Sequence, residues 1–247
     1  GATRVFNDVK LAVHAGADWV DEPGEWSAGK TLTYASGTGI PDSEGVTLTD
    51  AGAAGGVYTA TERNNAANTV SRPTILRYDV GVAGSTLTAT DEWNLTADLP
   101  AVAANAGLEG ITWVPDSYLT AHGFLDEKTG QAYSPATYAD HAGGLFLVAL
   151  EGNGRIYAYA LDHTSGAFTQ VASFASGFPG VMDLQFESET DQLWVVCDDT
   201  CTGRTGAFEV ETAPGATQGT FVSRTYYERP AGMPNLSHEG LDITPRN

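Results

Sequence analysis

Four acidic residues recur at the start of strand-like runs in this 247-residue chain, and their setting gives the first sign of chemistry. Glu44 stands in Pro41-Asp-Ser-Glu-Gly-Val-Thr-Leu-Thr, Glu109 in Ala106-Gly-Leu-Glu-Gly-Ile-Thr-Trp-Val-Pro, and Glu239 in Asn235-Leu-Ser-His-Glu-Gly-Leu-Asp-Ile-Thr. A looser copy, Pro179-Gly-Val-Met-Asp-Leu-Gln-Phe, carries Asp183 in place of the glutamate and lacks the glycine. If the repeated strands lie side by side, the four carboxylates crowd at one mouth. Ionised, they repel unless a cation neutralises them or some take up protons. Oxygen ligands without a cysteine or histidine majority suit calcium, ahead of magnesium or manganese. The competing reading is that each side chain caps a turn by accepting backbone N–H bonds.

Two neighbours of acids are candidates for catalysis. His238, beside Glu239, and Arg63, beside Glu62, could each meet an anionic oxygen of a substrate held on the metal, and His238 could also donate a proton. The bland alternative for both is a solvated loop residue. Second strands also end in acids, at Glu62, Glu151 and Asp198 with Asp199. We read these as solvated turn residues at the opposite strand end; at the same mouth they would form an outer ring able to hold another cation or activate water. His14, His122, His141 and His163 show no metal-ligand spacing, and Ser43 and Ser237 lie in no Gly-x-Ser-x-Gly elbow. Cys197 and Cys201 enclose three residues, and a zinc site would need about four ligands. A disulfide, and so an oxidising compartment, is the expectation.

The elements that position these residues repeat with them. After Glu44 come Gly56-Val-Tyr-Thr-Ala-Thr-Glu, Thr74-Ile-Leu-Arg-Tyr-Asp-Val and Thr86-Leu-Thr-Ala-Thr-Asp-Glu-Trp, and comparable runs follow Glu109 and Asp183. Each unit reads as four short antiparallel strands rich in β-branched and aromatic residues. A lone sheet of this kind leaves its apolar faces wet, so such units stack radially. The expectation is an all-β chain forming one β-propeller domain over residues 1–247, with about four to six blades. The blades fall at 44–95, 109–174, 183–227 and 239–247, the last joined by N-terminal strands within 3–35. Arg4-Val-Phe, Val9-Lys-Leu-Ala-Val and Thr31-Leu-Thr-Tyr are the strand-like runs there, expected to complete the fourth blade and close the ring; otherwise the chain is a fragment of a longer one. The spacing between acids exceeds the roughly 40 to 50 residues of familiar propeller repeats, so loops are inserted. The longest, Asp116 to Gly143, is of a length often found in functional loops.

Charge narrows the partners. With 31 acidic against 12 basic residues, a net charge of −19, the chain is ill suited to nucleic-acid phosphates or anionic lipid. Cations suit it better. It has no apolar run of about 18 residues, so no membrane insertion is expected, and we expect a secreted protein whose export signal precedes this numbering.

Six segments resemble a family of bacterial secreted propellers described as phytase-esterase-like, related to calcium-binding propellers called SdiA-regulated. They are Asp42-Ser-Glu-Gly-Val-Thr; Tyr58-Thr-Ala-Thr-Glu-Arg-Asn-Asn with Ile75-Leu-Arg-Tyr-Asp; Leu108-Glu-Gly-Ile-Thr-Trp-Val-Pro-Asp-Ser; Val181-Met-Asp-Leu; and His238-Glu-Gly-Leu-Asp-Ile. The resemblance implies a ring with calcium near Glu44, Glu109 and Glu239, with Asp183 as the departing copy, and hydrolysis of phosphoesters or carboxylic esters. The expected function is thus a secreted calcium-dependent hydrolase, its phosphate or ester substrate held through the metal. The rival is a non-catalytic propeller whose metal fixes the blades while the Asp116 to Gly143 loop engages a protein or glycan.

Overall fold

The structure is a computed structural model describing Trp26, residues 28–241 and the backbone of three short strands nearer the N-terminus. These are β1 (Asp8–Val9), β2 (Ala12–Ala15) and β3 (Asp18–Asp21), followed by β4 (Lys30–Thr33). The Arg4-Val-Phe run and residues 242–247 of the fourth repeat lie outside the described residues.

Three antiparallel four-stranded sheets follow. The first holds β5 (Pro41–Thr47), β6 (Val57–Asn64) and β7 (Ser71–Tyr78). After these, β8 (Thr86–Thr88) leaves the sheet and β9 (Asp91–Asn94) completes it. The second begins with β10 (Leu108–Pro115). An insertion carries helix α1 (Asp116–Ala121), β11 (Leu125–Asp126) and β12 (Gln131–Ala132). The sheet resumes with β13 (Gly144–Leu150), β14 (Arg155–Leu161) and β15 (Phe168–Ala175). The third is β16 (Asp183–Glu187), β17 (Gln192–Val196), β18 (Thr205–Val210) and β19 (Phe221–Tyr227).

The middle sheet shows why these runs are apolar without a break. All seven residues of β13 are buried. Phe146, Val148 and Leu150 face the first sheet with Tyr157, Tyr159 and Leu161 of β14. Leu145, Leu147 and Ala149 face the third with Ile156, Ala158 and Ala160. Alternation therefore sends apolar groups to both faces, each large side chain contributing about 1.5–3 kcal/mol on burial. At the β13–β14 turn, Gly154 takes φ +61°, and a Cβ there would lie 2.1 Å from the Phe178 carbonyl oxygen, so only glycine fits.

The glycine of the Glu-Gly repeat has a steric reason. Strand β10 packs between β5 and β16. A Cβ on Gly45 would sit 2.7 Å from the Glu109 carbonyl oxygen and 2.9 Å from the Ile111 nitrogen; one on Gly110 would sit 2.7 Å from the Leu184 nitrogen and 2.8 Å from Asp183 Cα. Each glycine thus lets one first strand press on the backbone of the next. The same contacts align the looser copy: Leu184 stands where Ile111 stands, and Asp183 where Gly110 stands. Sequence matching set Asp183 against Glu109 instead. The cause is an irregularity in the β10–β13 pairing between Leu108 and Ile111, which β16–β17 lacks. A bulge adds one residue to one strand only, shifting the count.

Three further features concern the elements around these sheets. The Thr86–Trp93 run is two strands, because β8 pairs in parallel with β4 while β9 pairs with β7. Strand β4 also pairs with β1, so among the described residues β1 and β4 stand with β8 beside the first sheet, while most of the 239–247 segment of the expected fourth blade lies outside the described residues. What holds them there is an apolar cluster of Leu32, Tyr34 and Leu87 against Leu76 and Tyr78. Finally, much of the Asp116 to Gly143 insertion is packed down: Tyr118, Leu119, Phe124 and Tyr133 enter the core between the second and third sheets. The Tyr118 hydroxyl accepts the Val210 N–H at 3.2 Å.

Candidate metal centre

An antiparallel hairpin ends its second strand where its first begins. Pro41 pairs with Asn64 and Ser43 with Thr61, so Glu62 arrives beside Asp42 and Glu44. Leu108 pairs with Leu150, which brings Glu151 beside Glu109. This corrects the reading of Glu62 and Glu151 as solvated turn acids at the far end. They share the mouth with the Glu-Gly acids.

Two overlapping triads result. Asp42, Glu44 and Glu62 each offer an oxygen within 4.8 Å of the other two, and so do Glu62, Glu109 and Glu151. Glu62, common to both, is 1% exposed; Asp42 is 4% and Glu109 7% exposed. The Gly107 N–H donates to Glu62 Oε1 at 2.8 Å. Glu62 and Glu109 bring carboxylate oxygens within 4.8 Å of each other, close enough that ionisation of one disfavours ionisation of the other. Burial, then the charges of Glu62 and Glu44, pushes the Glu109 carboxyl well above the usual range. Burial followed by Asp42, Glu62 and Glu239 raises Glu44 to about 7. Glu151 is also raised, by burial and then by Glu62, Asp198 and Glu239. In each case burial acts first, and neighbouring acids without enough positive charge between them push further in the same direction.

Arg63 supplies part of that charge. Its Nη2 lies 2.7 Å from the Asp42 carboxylate, and its Nη1 lies 3.7 Å from Glu62. The same Nη1 donates to the Ala104 carbonyl at 3.2 Å and to Asn105 Oδ1. Arg63 therefore clamps the first sheet to the segment leading into β10. Arg63→Met should leave Asp42 buried and uncompensated, at a cost of about 3–5 kcal/mol. Urea denaturation of the two proteins would read this, and equal midpoints would refute the clamp.

The other sequence candidates are placed as follows. Asp183 lies in neither triad: its Oδ1 accepts the Leu184 N–H at 2.7 Å and its Oδ2 the Leu241 N–H at 2.6 Å. Glu239 is exposed, but its charge is felt at Glu44 and Glu151, which sets it at the rim. The Nε2 of His238 is buried without a hydrogen-bond partner. Asp198 accepts the N–H and hydroxyl of Thr200 and caps the turn that the Cys197–Cys201 disulfide closes. The disulfide matches expectation, and those sulfurs offer no thiolate to a metal.

A hard cation fits what is here. All donors are carboxylate oxygens, and the Oε2 of Glu151 is buried with no hydrogen-bond partner, as is Ser43 Oγ. Buried polar atoms are almost always satisfied by protein, water or an ion. Asp42, Glu44, Glu62, Glu109 and Glu151 form the set that could hold calcium. Of these, Asp42 was no sequence candidate, and Glu62 and Glu151 stood there only as the alternative outer ring.

No protein-family model matches the chain, and no curated protein matches it in sequence. Among solved structures it is similar to a putative 6-phosphogluconolactonase from Bacteroides uniformis, with 14% identity and a TM-score of 0.45 over 98% of this chain and 59% of that one. It is also similar to the periplasmic gluconolactonase PpgL of Pseudomonas aeruginosa, at 11% identity and a TM-score of 0.35 over 91% of this chain and 80% of that one. A third is Sqt1 from Chaetomium thermophilum, at 10% identity and a TM-score of 0.41, where 80% of this chain spans only 37% of the other. Likenesses this slight carry neither fold nor activity to the chain.

Proposed function

We propose that the chain is a propeller-type, calcium-dependent hydrolase of phosphoesters or carboxylic esters that works outside the cell. The observation that carries this reading is the pair of carboxylate triads sharing the buried Glu62, each with two buried members and one half-buried. Such a mouth repels an anionic substrate unless it is first neutralised. Asp42, Glu44, Glu62, Glu109 and Glu151 would hold calcium, with Glu239 at the rim. Bound calcium would act as a Lewis acid on a carbonyl or phosphoryl oxygen. His238 would hold or deliver a proton through its unpartnered Nε2. Arg63, committed to Asp42 and Asn105, acts as a positioning residue for the first triad. The disulfide and the strongly acidic composition support an extracellular setting.

The test is a panel of chromogenic phosphate and carboxylate esters, assayed with calcium and after exhaustive chelation, on the parent and Glu109→Gln. Turnover should vanish on chelation and fall at least ~10-fold in the variant. Turnover that persists in chelator, with the fold intact, would sink the mechanism. One observation favours a second reading, a non-catalytic scaffold: Arg63, Glu62, Gly107 and Asn105 stitch the first sheet to the second at the same place. Calcium would then pin that seam. A calcium-dependent melting temperature with no ester turned over would select it.

A further inference from the structure

The two triads differ in one respect: a fixed positive charge stands in the first. The Arg63 guanidinium spans two of its acids, with Nη2 at 2.7 Å from Asp42 and Nη1 at 3.7 Å from Glu62. The Ala104 carbonyl and Asn105 accept from the same Nη1, so the group is also held from the segment leading into β10. An arginine is always charged, and its planar fork matches carboxylates. No change of pH within the protein's range switches it off to make room for an ion.

The second triad has no such charge of its own. Neither Glu109 nor Glu151 pairs with a cationic side chain among the described residues, and no N–H group there donates to the Glu109 carboxyl. Glu109 is only 7% exposed, and Glu151 Oε2 is buried without a hydrogen-bond partner. Both acids converge on Glu62, within 4.8 Å, with oxygens left to water or an ion. We propose that Arg63 is the resident cation of the first triad and that the divalent ion is confined to the second, at Glu62, Glu109 and Glu151. This rests on the calcium reading above and narrows it: the chain takes one ion, and Arg63 is the residue that sets that number. Three carboxylates leave calcium with coordination positions for water or substrate oxygens.

Calcium stoichiometry tests the assignment. In equilibrium dialysis with metal analysis, the parent should bind one ion per chain. Arg63→Met should bind two, because Asp42 and Glu44 then face Glu62 without a cation between them, whereas Arg63→Lys, which keeps the charge, should bind one. Where Arg63→Met fails to fold, Glu151→Gln still decides. It removes a repelling charge from a half-buried position and leaves the clamp untouched, so the melting temperature in chelator should not fall. Its calcium affinity by titration calorimetry should drop at least ~10-fold. Two ions on the parent, one on a folded Arg63→Met, or an unchanged affinity in Glu151→Gln would each overturn the assignment while leaving calcium binding itself intact. A parent that binds no calcium would overturn the calcium reading and this assignment together.

Discussion

Gly110→Val is expected to be among the most damaging single substitutions in the molecule. The new Cβ would meet Leu184 N and Asp183 Cα at 2.7 and 2.8 Å, and both are backbone atoms with no flexible end to swing aside. Relief requires the second and third sheets to part. That opens the cluster that joins Val114 and Leu147 to Leu184 and Phe186. Overpacking of an ordinary core costs about 1–3 kcal/mol. Separation of two sheets puts this case at ~3 kcal/mol or more, or on the order of 6–12 °C in melting temperature for a domain this size. Gly240→Val, the same change where a Cβ meets nothing within 4 Å, should cost almost nothing. Urea and thermal denaturation of both would decide, and a Gly110→Val protein as stable as its parent would refute the backbone contact.

The second large effect is a dependence of stability on pH that calcium reverses. The carboxyls of Glu44 and Glu109 are raised in the folded chain, Glu44 to about 7 from 4.5. A raised carboxyl binds its proton more tightly when folded, so its contribution is fully present below the unfolded value and is lost as pH climbs through the folded one. The metal-free protein should therefore lose melting temperature steadily between about pH 5 and about pH 8. Calcium at the upper pH should restore it, by at least ~5 °C given roughly 2–4 °C per kcal/mol. Glu62→Gln, which removes the charge shared by both triads and keeps an acceptor for Gly107, should raise the melting temperature in chelator and abolish the calcium response. A flat melting temperature in chelator across that range would dispose of the cluster as an electrostatic unit.

Much of this was legible in the residues, for reasons that also mark where legibility stopped. Short apolar runs such as Gly144–Leu150, set between turns, announced strands, and the apolar faces that a lone sheet of them would leave wet announced stacking. The Glu-Gly dipeptide announced a repeat. Yet a one-residue bulge leaves no compositional trace, so Asp183 aligned with Glu109 by eye while the backbone set it against Gly110. Strand exchange at Ala89 and Thr90 was invisible for a related cause: Thr86 to Trp93 is uniformly strand-like, and only the partners, Thr33 on one side and Arg77 on the other, divide it. Glu62 and Glu151 are a different case. Nothing more than hairpin geometry was needed to bring them to the mouth, since an antiparallel second strand must end beside the start of the first.

The sharing of Glu62 between the triads also has a bearing on the order of folding. Each four-stranded sheet pairs strands in chain order, its longest closure being the Asp116 to Gly143 insertion between β10 and β13, whereas the first sheet meets Glu109 and Glu151 only after two separate hairpins have formed and docked. The repulsion among the acids is therefore absent from the early, local events and enters with the docking of sheet on sheet. A cation that quenches it acts late, on the native side of the barrier, where it retards escape from the folded state more than it hastens arrival.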